Sequence, residues 1–178
     1  LAIGDGAMGF WSALDEVYPQ SKQQRCWVHK TANVLNCVPK SVQPKVKDAL
    51  HQIWQADTQS NAHQAFDRFE QLFSAKYPKA MQCLQKDKDE LLAFYEFPAM
   101  HWQSLRTTNP IESSFSTIRH RTKRAKGCLS RDGMLQMMFK LGQCAEQNWR
   151  RLRGFEDLNK VITGVKFKDG MEIKQNAA

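Results

Sequence analysis

The chain has 178 residues, enough for one ordinary domain or a domain with a sizeable insertion. At 42% apolar and 10% aromatic residues it is too hydrophobic for a disordered chain. It lacks an apolar run long enough for a membrane span, and no signal-peptide pattern precedes Leu1. The formal charge is +8 and unevenly placed: 12 basic and 11 acidic side chains lie before residue 107, 14 and 7 from there on. A basic surface in one half of the chain points to a polyanionic partner, with nucleic acid the usual candidate. Five cysteines (Cys26, Cys37, Cys83, Cys128, Cys144), odd in number and irregular in spacing, argue against a disulfide scaffold and for a reducing compartment. The chain opens on Leu1-Ala2-Ile3-Gly4 like the middle of a buried strand, and so reads as a fragment or a chain cut at its start.

Leu1 to Ile3 predicts a short strand stopped by Gly4-Asp5-Gly6, and Phe10, Leu14 and Val17 predict a helix ended by Pro19. Gln24 to His29, with Trp27 and Val28, predicts a second strand, and Lys30 to Val38 a short helix. That alternation is the rhythm of an α/β domain. From Ser41 the rhythm changes. Val46, Ala49, Leu50, Ile53 and Trp54 form one helical stripe, and Ala62, Ala65, Phe66, Phe69, Leu72 and Phe73 a second. Two shorter helices follow, around Met81, Cys83 and Leu84 and around Leu91, Leu92 and Phe94. Residues 41–97 therefore read as an all-helical insertion between residues 1–40 and 98–160.

Asn109, Pro110 and Glu112 mark a helix start of capping-box type. Ser130 is placed to cap another helix running to Trp149, with Met134, Leu135, Met138, Leu141 and Ala145 inward. The segment 161–178 reads as a hairpin or tail, with strand-like alternation at Val165 and Phe167 around an Asp169-Gly170 turn.

Five candidates can carry chemistry or binding. Asp5 follows a strand between two glycines, where α/β proteins place metal and ligand sites; it also suits plain turn formation. Glu112 completes a cap, and a side chain in a first helical turn can equally face a site. Cys26 and His29 form a C-x-x-H pair that lacks the partners zinc needs, so a thiol and a histidine beside a site of another kind are the better reading. Arg119, His120, Arg121, Lys123, Arg124 and Lys126 form a basic run without an acid, suited to phosphate contact. Trp102 suits base stacking or core packing.

In this order and spacing, Gly4-Asp5-Gly6, Cys26-Trp27-Val28-His29, Thr107 to Glu112 and Arg119-His120-Arg121-Thr122 resemble the Mutator-type transposases of bacterial insertion sequences. The resemblance implies a predominantly helical α/β chain: a partial ribonuclease H-like core interrupted by an all-α insertion. It implies an Asp-Asp-Glu triad that uses Mg²⁺ or Mn²⁺ for strand cleavage and transfer. Asp5 then matches the second aspartate, Glu112 the glutamate, and Cys26 and His29 the family's C-x-x-H signature. The first aspartate would lie upstream of Leu1, which would leave this chain inactive by itself. Double-stranded DNA (transposon ends and target), a homodimer of the full-length protein and a bacterial, nucleoid-associated cytoplasmic location are the implied partners and setting. Two rival readings remain. One is a DNA-binding module that uses the basic run alone. The other is a haloacid-dehalogenase-like phosphatase, which shares only Gly-Asp-Gly with this chain and lacks its further aspartate in Ala7-Met8-Gly9-Phe10.

Overall fold

The computed structural model describes residues 1–124 and 130–173. Strand β1 (Ala2–Gly4) pairs in parallel with β2 (Gln23–Arg25), Ile3 opposite Gln24. Parallel neighbours need a crossover, which α1 (Met8–Val17) supplies. Where β1 ends, a Cβ on Gly4 would lie 2.6 Å from the Trp11 ring, which would have to shift.

The second strand stops short of the predicted His29. Arg25 ends it, and α2 (Trp27–Leu35) begins two residues later with Cys26 at its N-cap position. Trp27 and Val28 have strand-like character, but the buried set Trp27, Lys30 and Val34 has the i, i+3, i+7 spacing of a helix. Packing overrides local propensity here: the Trp27 indole N–H donates to the Leu91 carbonyl at 2.9 Å, a bond across 64 residues.

Residues 41–97 contain α3 (Gln43–Trp54), α4 (Gln59–Phe73), α5 (Pro78–Gln85), α6 (Lys88–Leu92) and a 3₁₀ turn (Ala93–Glu96), and no strand. The Thr58 hydroxyl caps α4 by accepting from the Asn61 N–H at 3.1 Å. The stripes face inward at Val46, Leu50, Ile53, Phe66 and Phe69, all buried. Leu72 departs from its predicted stripe and is 70% exposed. These helices share one core with Trp27 and Val34 of α2 and with Trp102, which opens the short α7 (Trp102–Leu105). Trp102 packs edge-on to Phe94 and Tyr95, so it is a core residue. Gln24 in β2 joins the strands to the helices: its amide oxygen accepts from the Phe94 N–H at 2.8 Å and its NH₂ donates to the Leu91 carbonyl at 3.2 Å.

Residues 108–152 form a second unit. Here α8 (Asn109–Arg124) and α9 (Arg131–Glu146) pack on each other. Ser130 caps α9, its hydroxyl accepting from the Gly133 N–H at 3.0 Å. The helix stops at Glu146 rather than Trp149, whose indole N–H donates to the Ser114 hydroxyl at 2.9 Å. The residues predicted to face inward do not reach a core: Met134, Leu135 and Met138 are exposed, Leu141 and Ala145 are only partly buried, and α9 buries no side chain. Within this unit the described helices α8 and α9 offer each other too little surface to cover both apolar faces.

The chain returns to the first unit from Arg153. Val161 and Ile162, predicted as the start of a strand-like tail, end α10 (Leu158–Ile162) instead. Strands β3 (Phe167–Lys168) and β4 (Met171–Glu172) then pair antiparallel. Asp169 and Gly170 connect them with φ of 49° and 79°, both left-handed, as a two-residue hairpin turn of the mirror-image type requires. The tip docks firmly. The Asp169 carboxylate accepts from the Gln59 N–H at 2.6 Å, adding a second cap to α4, while Gly170 exchanges backbone hydrogen bonds with Tyr95 and Ala99. A Cβ on Gly170 would lie 2.5 Å from that of Ala99.

Candidate functional site

Asp5 sits one residue past the end of β1 with its side chain exposed. One carboxylate oxygen accepts from the Ala7 N–H at 2.9 Å, the short-range turn predicted for a Gly-Asp-Gly run. Gly6 follows with φ 94°, and a Cβ there would meet the Arg25 guanidinium at 2.4 Å. Arg25 in turn donates to the Gly4 carbonyl at 3.3 Å and to the Asp87 carboxylate at 3.0 Å. Lys30 reaches the same carboxylate at 2.5 Å and donates to the Cys83 carbonyl at 2.7 Å. Burial works to raise the Asp87 pKa, but hydrogen bonding and charge from Lys30 and Arg25 outweigh it and hold the carboxyl below its ordinary range. The Asp5 loop therefore rests on a buried ion network.

Cys26 extends the strand pairing: its N–H donates to the Gly4 carbonyl at 2.8 Å. Its thiol is buried and lies 3.3 Å from Nδ1 of His29, one helical turn on. The next amide, Trp27 N–H, donates to the Arg106 carbonyl at 2.9 Å. Three distant segments thus meet through backbone hydrogen bonds: Gly4-Asp5, Cys26-Trp27 and Arg106. Arg106 heads the run that continues through Thr107 to Glu112, but sequence reasoning gave it no role of its own. Its guanidinium carbon lies 4.5 Å from the Phe94 ring centroid, 5.3 Å from Trp102 and 5.6 Å from Trp54.

Glu112 is in the first turn of α8 and exposed. The capping arrangement is shifted by one residue from the predicted one. Asn109 is the first helical residue, Glu112 N–H donates to the Thr108 carbonyl at 3.1 Å, and the Thr108 hydroxyl donates to the Glu112 carboxylate. Glu112 and Asp5 belong to different units, and each carboxylate has a local partner. Magnesium takes oxygen ligands, so both exposed carboxylates fit as ligands by chemistry. Among the described residues, no three His, Cys, Asp or Glu side chains gather closely enough to hold a metal. Cys37, the other cysteine close in sequence to this pair, bonds locally to the Asn33 carbonyl.

Arg119, His120, Arg121, Lys123 and Arg124 lie in the last turns of α8, all exposed. None forms an ion pair among the described residues; Lys126 lies outside them. Cations suit a helix C-terminus, and without ion-pair partners the arginines and Lys123 are available to a polyanion.

The family model described as "Transposase, Mutator family" matches residues 1–151, a span that includes Asp5, Cys26, His29, Arg106, Glu112 and the basic run. The chain belongs to the Mutator family of transposases. It is 56% identical over 171 residues to the transposase for insertion sequence element IST2 of Acidithiobacillus ferrooxidans, covering 96% of this chain and 58% of that protein. It is 49% identical over 175 residues to the transposase for IS6120 of Mycolicibacterium smegmatis, covering 98% and 54%. The transposase for IS905 of Lactococcus lactis is 34% identical over 124 residues, 70% of this chain and 32% of that one. The chain spans a little over half the length of the first two relatives. Membership in the Mutator family displaces the phosphatase reading, which rested on Gly4-Asp5-Gly6 alone. Among the described residues of this family member, no helix is long and apolar enough to cross a membrane. The docked β3–β4 hairpin lies beyond the family match, yet it is fastened to residues 59, 95 and 99 inside it.

Proposed function

We propose that this chain is the greater part of the catalytic domain of an Asp-Asp-Glu transposase, with a ribonuclease H-like core interrupted by the helices of residues 41–97. It would cut and rejoin DNA at insertion-sequence ends. The observation that carries this reading is the convergence of Gly4-Asp5, Cys26-Trp27 and Arg106, which ties an exposed strand-end carboxylate to the segment leading into the Glu112 helix. Turn formation alone does not call for that convergence.

In this reading Asp5 and Glu112 are two carboxylates of the triad, and the third is assigned to the remainder of a longer protein, in keeping with the length of the relatives. Magnesium or manganese ions, when bound, supply activation of a water or 3′-hydroxyl and stabilisation of the leaving oxygen. Asp5 offers an oxygen ligand from a rim made rigid by the Arg25–Asp87–Lys30 network, and Glu112 offers another from a capped first turn. Arg119, His120, Arg121, Lys123 and Arg124 hold DNA phosphates without reading sequence, as does Lys126. The Cys26 N–H holds the start of α2 against β1 through the Gly4 carbonyl, and the Cys26 thiol lies beside His29 within that first turn. The full-length protein would act as a homodimer on double-stranded DNA in the bacterial cytoplasm.

The test is metal-dependent strand cleavage by the full-length protein. Asp5→Asn and Glu112→Gln should each abolish cleavage while leaving fold and DNA affinity largely intact, because each removes a ligand oxygen and little volume. Cleavage that survives either substitution defeats the assignment. The second reading, a non-catalytic DNA-binding segment, is favoured by the unpaired cations on α8. It predicts DNA binding without cleavage even in the full-length protein.

A further inference from the structure

We infer that Arg106, on a segment hydrogen-bonded through Cys26-Trp27 to the strand end that carries Asp5, is a DNA phosphate-binding residue held ready by an aromatic cradle. The inference rests on the transposase reading, and its evidence lies wholly within the first unit. A partly buried guanidinium ordinarily has a carboxylate partner. Arg106 has none: among the described residues it forms no ion pair, and its buried Nε has no acceptor. The Trp54 indole Nε1, in the same cluster, is likewise a buried donor without an acceptor. A cation and two orphan donors in one corner, with no anion, cost the fold stability, and such unsatisfied groups call for an explanation.

The cradle suggests what that corner receives. Phe94, Trp102 and Trp54 lie around the guanidinium, between 4.5 and 5.6 Å from its carbon. Aromatic rings take the faces of a planar guanidinium and leave its in-plane N–H edge for a ligand. That edge is a fork matched to two oxygens of a phosphodiester. The side chain as a whole is partly exposed although its Nε is buried, so a phosphate would reach it through the terminal nitrogens. Position supports the same ligand. The Arg106 carbonyl accepts from Trp27 N–H, and the adjacent Cys26 N–H donates to Gly4 O, one residue before Asp5. Two backbone hydrogen bonds therefore link the Arg106 segment, through Cys26-Trp27, to the strand end that carries Asp5. A purely structural arginine in this setting would be expected to carry an acidic partner.

The test compares Arg106→Leu, which fills the cradle without charge, with Arg106→Lys, in the full-length protein on non-specific duplex DNA. The leucine variant should melt near the wild type yet lower the slope of log affinity against log salt by about 0.9, one lost phosphate contact. The lysine variant should recover the slope. As a measurement independent of any variant, DNA should protect Arg106 of the wild type from phenylglyoxal, read by mass spectrometry. A folded leucine variant with an unchanged slope overturns the inference, as does an Arg106 that reacts equally, or not at all, with and without DNA. If the wild type binds no DNA, the nucleic-acid reading fails along with this one. Retained binding with an indifferent Arg106 overturns this inference alone.

Discussion

Residues 1–107 with 153–178, and residues 108–152, use similar amphipathic helices to different ends. The first unit closes its stripes over Leu50, Ile53, Phe66, Phe69, Leu84 and Leu91, and carries 17 basic against 15 acidic side chains. The second has 9 basic and 3 acidic side chains and, among its described residues, no buried one. Its apolar side chains, Ile111 and Phe115 on α8 and Leu135 and Phe139 on α9, stay exposed beside its cations. The contrast teaches that periodicity names the face a helix can bury, whereas burial needs enough neighbouring surface to cover that face.

The sharpest way to break the comparison is to truncate one aromatic side chain in each unit. Phe66→Ala should cost about 3–5 kcal/mol in chemical denaturation, because it opens a cavity among α2, α4 and their neighbours. Phe115→Ala should cost less than about 1 kcal/mol. Equal costs would mean that the second unit has a core after all.

Asp87→Asn comes next, at roughly 3 kcal/mol, since it leaves the buried Arg25 and Lys30 without their shared carboxylate. The sign with pH follows from a folded pKa held below the unfolded one. This contribution is fully present above the unfolded value of about 3.9 and is lost as pH falls through the lower folded value. Acid unfolding followed by circular dichroism should therefore show a steeper loss below about pH 4 in the wild type than in the variant. Parallel acid profiles would remove Asp87 from the network.

Gly170→Ala should cost about 1–2 kcal/mol by thermal melting, from the left-handed φ and the contact with Ala99. No effect would mean that the hairpin tip is not docked as described. The smallest effect on stability, within about 0.5 kcal/mol, is expected for glutamine at Arg119, Arg121, Lys123 and Arg124 together. The same variant should lose about 0.9 in salt slope for each contact removed, measured by fluorescence anisotropy on duplex DNA. Unchanged binding would make the run an ordinary solvated surface.

Part of the proposed site was legible early. Asp5 after a strand, the C-x-x-H pair and the helix start before Glu112 are local patterns, readable within a few residues. The place of Arg106 was not legible. Its cradle comes from Trp54, Phe94 and Trp102, on three separate elements, and an arginine before Thr107 gives no local sign of them. The ion network was equally hidden, because Arg25 and Asp87 are 62 residues apart.

The sequence by itself determined the helices of residues 41–97, the Ser130 cap and the Asp169-Gly170 turn. Each rests on the 3.6-residue period, a capping hydroxyl or a positive φ, all properties of neighbouring residues. Only the tertiary structure decided that β2 ends at Arg25, that Leu72 faces solvent and that the apolar residues of α9 remain uncovered. Those outcomes depend on which distant surface is available to pack against. A helical or alternating pattern states the preference of a side chain for burial, and the arrangement of the rest of the chain determines whether that preference is met.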